Sequence, residues 1–128
     1  MTSYRVSRIG NLLVTRGAVH GAGGTKVVRL LVDTGSSFTI LPVEVLAAIE
    51  CDPATSKDHV RLITGNGVVI APRVPVEWFH VLGRELKAFS VVAYTIPFSQ
   101  FFDGPLGMDV LMRFQAQINV QQQIIEVT

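Results

Sequence analysis

The apolar run Val27-Val28-Arg29-Leu30-Leu31-Val32 ends in Asp33-Thr34-Gly35-Ser36-Ser37. That join constrains the fold strongly, because it sets a carboxylate at the mouth of a β-prone segment that the apolar residues would bury. A lone buried carboxylate costs several kcal/mol unless it shares a proton or gains hydrogen-bond donors, so its placement has a chemical reason. The motif occurs once. Asp52, Asp58, Asp103 and Asp109 lie in no Asp-Thr-Gly or Asp-Ser-Gly sequence.

Short apolar runs cut by glycine and proline dominate the rest of the chain, which predicts a mainly β domain with one or two short helices. Leu12 to His20 and Lys26 to Val32 flank Gly21-Ala22-Gly23-Gly24-Thr25, a hairpin that delivers Asp33 at its far end. Pro42 at a first helical position predicts a short helix through Glu50. Val60 to Thr64 and Val68 to Ala71 bracket Gly65-Asn66-Gly67, whose Asn-Gly pair is a strong hairpin signal. A second long hairpin is expected from Arg73–His80 to Leu86–Tyr94, turning near Gly83. Thr95 to Phe102 reads as a Phe-rich loop, a short helix follows Gly107, and Ala116–Val120 and Gln123–Val127 read as closing strands.

At 128 residues, 48% hydrophobic and 16% charged, the chain is long enough for one globular domain spanning 1–128. Its net charge is +1 and its basic residues are scattered through the sequence, so a nucleic-acid partner is not expected. The longest uncharged stretch, Ala88 to Phe102, is too short to span a bilayer and carries Pro97. The first residues, Met1 to Val14, lack the apolar segment of a secretory signal, which makes the cytoplasm the expected location. Cys51 is the only cysteine and reads as a half-buried thiol near a helix end. His20, His59 and His80 show no metal-ligand spacing, so no metal or other cofactor is expected.

In order along the chain stand Leu30-Leu31-Val32-Asp33-Thr34-Gly35-Ser36, the Gly65-Asn66-Gly67 hairpin, and Leu106-Gly107-Met108-Asp109-Val110-Leu111. With these three features the chain resembles the retropepsin-like aspartic peptidases, single-domain relatives of pepsin, from Leu12 to Val127. The resemblance implies an acid-protease β-barrel that works as a homodimer. Catalysis needs two carboxylates ~3 Å apart sharing one proton, a rule for which aspartic peptidases are the standard illustration, and a two-fold axis supplies the second copy of Asp33. Asp33 is then the catalytic acid and base, Thr34 braces the two active-site turns across the axis, and Gly35 lets the backbone approach the dyad and peptide. A Ser36 hydroxyl donating to the carboxylate would favour its ionised form and extend activity to more acidic pH than in Ser36→Ala; the other reading of Ser36 is a small residue tolerated in a turn.

The same resemblance makes Thr64-Gly65-Asn66-Gly67 a flap over a peptide or protein substrate, although the sequence equally supports a plain tight hairpin. It makes Asp109 a hydrogen-bonding partner beneath the turn. Ser37 and Met108 stand where retroviral members carry a paired acid and base, which brings the chain closer to the bacterial and cellular branch. The C-terminal strand Gln123 to Val127 is the expected dimer contact. Apolar walls are expected from Phe38, Ile40, Leu62, Val68, Ile70 and Phe101, with the Phe98, Phe101 and Phe102 group read either as core or as a subsite wall. Aspartic endopeptidase is the expected activity. The alternative is a catalytically inactive dimerisation or peptide-binding module of the same fold, whereas a phosphate-binding Asp-x-Gly turn would need a second lobe that 128 residues do not supply.

Overall fold

Alternating side chains and a two-residue turn, Ala22-Gly23, fold the first long segment back on itself: β3 (Leu12–Gly21) pairs antiparallel with β4 (Gly24–Val32) from Val14↔Leu31 to Gly21↔Gly24. The computed structural model describes residues 1–97 and 101–128. On one face of this hairpin Val19, Val28 and Leu30 are buried, and on the other Arg16, Arg29 and Val27 meet solvent, the period-2 pattern of a half-buried sheet.

Two short strands precede the hairpin, β1 (Thr2–Arg5) and β2 (Ser7–Ile9), neither of which the sequence announced. After it come β5 (Ile40–Leu41) and α1 (Val43–Ala48), then a single 3-10 turn at Pro53–Thr55. Pro42 is the residue before α1 and not its first helical position; its carbonyl accepts from Val45 and Leu46 N–H. Cys51 follows half-buried, and burial together with the charge of Glu77 raises its thiol pKa, keeping it in the weakly nucleophilic protonated form.

The strands β6 (His59–Thr64) and β7 (Gly67–Pro75) form the next hairpin, with Thr64↔Gly67 as its last pair. Its two turn residues are Gly65-Asn66, one position earlier than the Asn-Gly signal suggests. Gly67 closes the turn at φ +116°, a conformation that favours glycine. The chain continues through β8 (Trp78–Val81), β9 (Arg84–Lys87) and β10 (Ser90–Ala93). The expected long hairpin turning near Gly83 is present, yet each arm is divided between two sheets: β7 pairs with β10 and β8 with β9. The division falls at Glu77 and Ala88, where Ala88 takes φ +50° and its N–H bonds the Glu77 carbonyl.

Beyond lie β11 (Gly104–Leu106), α2 (Met108–Arg113), β12 (Gln117–Asn119) and β13 (Ile124–Val127). Three sheets result: β11-β4-β3-β8-β9 with β2 added to β3, β5-β10-β7-β6, and β1-β13-β12. The main core joins Leu30, Phe79 and Leu106 of the first sheet with Leu41, Val74 and Val91 of the second, Ile125 of the third, and Phe114 after α2. A smaller cluster of Ile40, Leu62, Ala71 and Val92 lies under the β6–β7 hairpin.

The terminal sheet departs from expectation. β13 pairs with β1 on one edge and with β12 on the other, all within one chain. Both sides of its backbone are therefore hydrogen-bonded, and the Gln123–Val127 strand has no free edge to offer a partner. The free edges of this sheet belong to β1 and β12.

Candidate active site

Asp33 follows the last residue of β4, and two neighbours fix it there. β11 runs parallel to β4 with Val32 opposite Leu106, and the Asp33 N–H donates to the Leu106 carbonyl at 3.1 Å. The turn then closes on itself: Ser36 N–H donates to the Asp33 carbonyl at 3.2 Å, and Gly35 N–H donates to Asp33 Oδ1 at 2.9 Å. A backbone donor aimed at the carboxylate holds its orientation.

The Ser36 hydroxyl does not take the expected role. It donates to the Phe38 carbonyl at 2.7 Å, so its one proton is spent on the turn backbone and not on Asp33. Thr34 is exposed and forms no hydrogen bond among the described residues.

Beneath the turn, α2 is bolted on through Thr39, which is fully buried. Thr39 N–H and Oγ1 donate to the two Asp109 carboxylate oxygens at 3.0 and 2.8 Å, and Thr39 Oγ1 accepts from Gly107 N–H at 3.0 Å. Met108 N–H donates to the Ser36 carbonyl at 2.8 Å. Asp109 accepts a third hydrogen bond from Val110 N–H at 2.9 Å and does not line the Asp33 cleft, in line with the hydrogen-bonding role the resemblance implied. Sequence reasoning gave no sign of Thr39, although a hydroxyl between the apolar Phe38 and Ile40, just before a short apolar strand, is the available signal.

Asp33, Gly35 and Ser36 open into a cleft of about 630 Å³ roofed by Thr64, Gly65 and Asn66 of the β6–β7 hairpin. The fold therefore brings six of the eight singled-out residues together, while Thr34 and Gly67 lie outside the cleft lining. Thr64 staples the hairpin tip, its Oγ1 donating to the Gly67 carbonyl at 3.0 Å and accepting from Asn66 N–H at 3.2 Å. Phe38, Ile40 and Leu62 line the cleft as expected. Val68 and Ile70 do not; they are 54% and 59% exposed, and Val69 between them faces the cleft instead. Phe101 is exposed and Phe102 half-buried, and Phe98 lies outside the described residues. Ile96 and Pro97 place part of the expected loop in the walls, and Ser37, Arg61, Ile63, Tyr94 and Pro105, none of them singled out as wall residues in the sequence, also line the cleft.

A family model described as aspartyl protease matches residues 15–110, from β3 through the Asp33 turn and the hairpin into α2. The chain belongs to the aspartyl protease family. Among solved structures, this aspartyl protease-family chain is similar to a retropepsin-like aspartic protease from Rickettsia conorii, with a TM-score of 0.71 at 20% identity. That similarity covers 97% of this chain and 88% of the other, so the retropepsin-like fold extends over the whole family member, including strands outside the matched segment. Among curated proteins no sequence matches it. No helix among the described residues is long and apolar enough to cross a membrane.

Proposed function

We propose that this chain is an aspartic endopeptidase, cofactor-free, in which Asp33 of two copies forms one active site at a homodimer axis. The observation that carries the reading is the Asp33 carboxylate, held by the Gly35 N–H at 2.9 Å on a braced turn and facing a cleft under a hairpin. One chain supplies one such carboxylate. Two at ~3 Å hold a single proton between them, which gives an acid and a base at the same pH. The ionised member takes a proton from water as the oxygen attacks the peptide carbonyl, and the protonated member donates to the carbonyl oxygen. The tetrahedral adduct then collapses: the C–N bond breaks, the amine leaves protonated, and the dyad regains one shared proton.

The hairpin bearing Thr64-Gly65-Asn66-Gly67 acts in this reading as a flap that covers an extended peptide and excludes water. Thr34, exposed beside Asp33, is the group available to brace the partner's turn. Phe38, Ile40, Leu62 and Val69 favour apolar side chains around the cut. Cytoplasmic residence belongs to the same reading and rests on the sequence alone.

Incubation with a diverse peptide mixture from about pH 3.5 to 7.5, with new termini scored by mass spectrometry, tests the proposal. Cleavage is expected, with one oxygen from isotopically labelled water in each new carboxylate, and specific activity is expected to fall on dilution as dimers separate. A folded, dimeric protein that cuts nothing across this range would instead be the binding module.

The Ser36 geometry sets a further expectation. Because its hydroxyl bonds the Phe38 carbonyl, Ser36→Ala is expected to lower stability by about 1 kcal/mol while moving the acid limb of the pH–activity profile by less than about half a unit. A larger alkaline shift of that limb would return Ser36 to the carboxylate.

A further inference from the structure

Three arginines far apart in the sequence converge on one cavity away from the Asp33 cleft. Arg5 of β1, Arg16 of β3 and Arg29 of β4 all line a space of about 550 Å³. Arg16 and Arg29 are directly opposite each other in the β3–β4 register. Cross-strand partners point to the same face with Cβ atoms ~5 Å apart, and like charges in such a pair destabilise the sheet. None of the three guanidiniums forms an ion pair among the described residues, where the ion pairs are His20–Glu77 and Arg73–Asp58.

No carboxylate lines the cavity to relieve this repulsion. Asp103, the acid bonded to this strand, accepts the Arg29 backbone N–H at 2.7 Å and returns its own N–H to the Arg29 carbonyl at 2.7 Å. Its role is to attach the segment before β11 to β4. Tyr4, Thr15 and His80 add further hydrogen-bonding groups to the walls.

We propose that this cavity binds a small molecule carrying two or more linked phosphates. The three arginines are exposed, and their three positive charges match a di- or triphosphate, whereas one carboxylate would leave two of them unneutralised. Guanidinium forks bind phosphate oxygens in pairs, which suits arginine over lysine in such a site. The volume is that of a small-ligand pocket, and the concave shape supplies none of the extended basic stripe that tracks a nucleic-acid backbone. The site is independent of the proteolytic reading.

Calorimetric titration of the full chain with inorganic tripolyphosphate, at constant ionic strength, is the test. Saturable one-to-one binding is expected, with pyrophosphate weaker and chloride without effect. Arg29→Gln is expected to weaken binding at least tenfold, and Arg16→Gln combined with Arg29→Gln to abolish it. Both variants should melt without ligand at or above the wild-type temperature, since the repulsion is relieved, which separates lost binding from lost folding. Absence of saturable binding at millimolar tripolyphosphate, or undiminished binding by the double variant, would overturn the proposal. So would binding of a polyglutamate peptide that tripolyphosphate does not displace, which would assign the cavity to an acidic protein segment.

Discussion

Asp33→Asn is expected to lower peptide cleavage by about 1,000-fold or more at every pH tested, without loss of folding. The amide is nearly isosteric with the carboxylate, and its oxygen can still accept the Gly35 N–H that now holds Asp33 Oδ1 at 2.9 Å. It can neither take a proton from water nor share one with a second carboxyl group. Mixing offers a sharper form of the experiment. If wild-type and Asn subunits are combined equally and allowed to exchange, about a quarter of the dimers retain two acids. Activity should fall to that level, whereas a site built from one chain would keep about half. Recovery of half the activity, with exchange verified by native mass spectrometry, would sink the shared dyad while leaving a peptidase in place.

The second large effect is expected at Gly107→Ala. A methyl group there would sit 2.4 and 2.5 Å from the Phe38 carbonyl carbon and oxygen and 2.9 Å from Thr39 N. Gly107 has φ −94°, which any residue adopts, so the cost is lack of space and not backbone strain. The obstacles are main-chain atoms of the segment that follows Asp33. To make room, α2 must lift, which breaks the Thr39–Asp109 and Met108–Ser36 hydrogen bonds together. A loss of about 3 kcal/mol is expected, or roughly 10 °C in melting temperature for a domain of this size. Gly65→Ala is the control. Nothing lies within 4 Å of its added methyl, and its φ is not in the left-handed range, so its effect should stay within about 0.5 kcal/mol. Equal melting temperatures for the two variants would show that α2 does not clamp the turn.

What the sequence revealed and what it hid divide along the range of the interactions. The β3–β4 hairpin, the Asp33 turn and the start of α2 were legible because alternation, a glycine turn and Gly107 are local signals. β1 and β2 were not, since Thr2–Arg5 and Ser7–Ile9 are short and mostly polar, and they are strands only by pairing with β13 and β3. β11 was hidden by Pro105, which normally argues against a strand; it is tolerated because β11 is an edge, where a missing N–H breaks no ladder.

Within the site, residue identity was legible and direction was not. The type of Ser36 suggested a donor to Asp33, but the turn aims the hydroxyl at the Phe38 carbonyl instead. Val68 and Ile70 were apolar enough to be wall residues, yet register turns Leu62 and Val69 inward. The arginine cavity was invisible for the same reason in larger form. Residues 5, 16 and 29 look dispersed until the third sheet folds against the first.

The in-chain seam of the terminal sheet also governs the order in which this molecule can form. Thr2 pairs with Val127, so the first strand made must wait for the last before its backbone is satisfied. Closing so long a loop carries a large entropic cost before any contact rewards it. On the ribosome the hairpin carrying Asp33 can assemble early, while β1 stays unpaired until β13 has emerged. The seam should therefore be the last region to gain hydrogen-exchange protection during refolding, and among the first to lose it under mild denaturant.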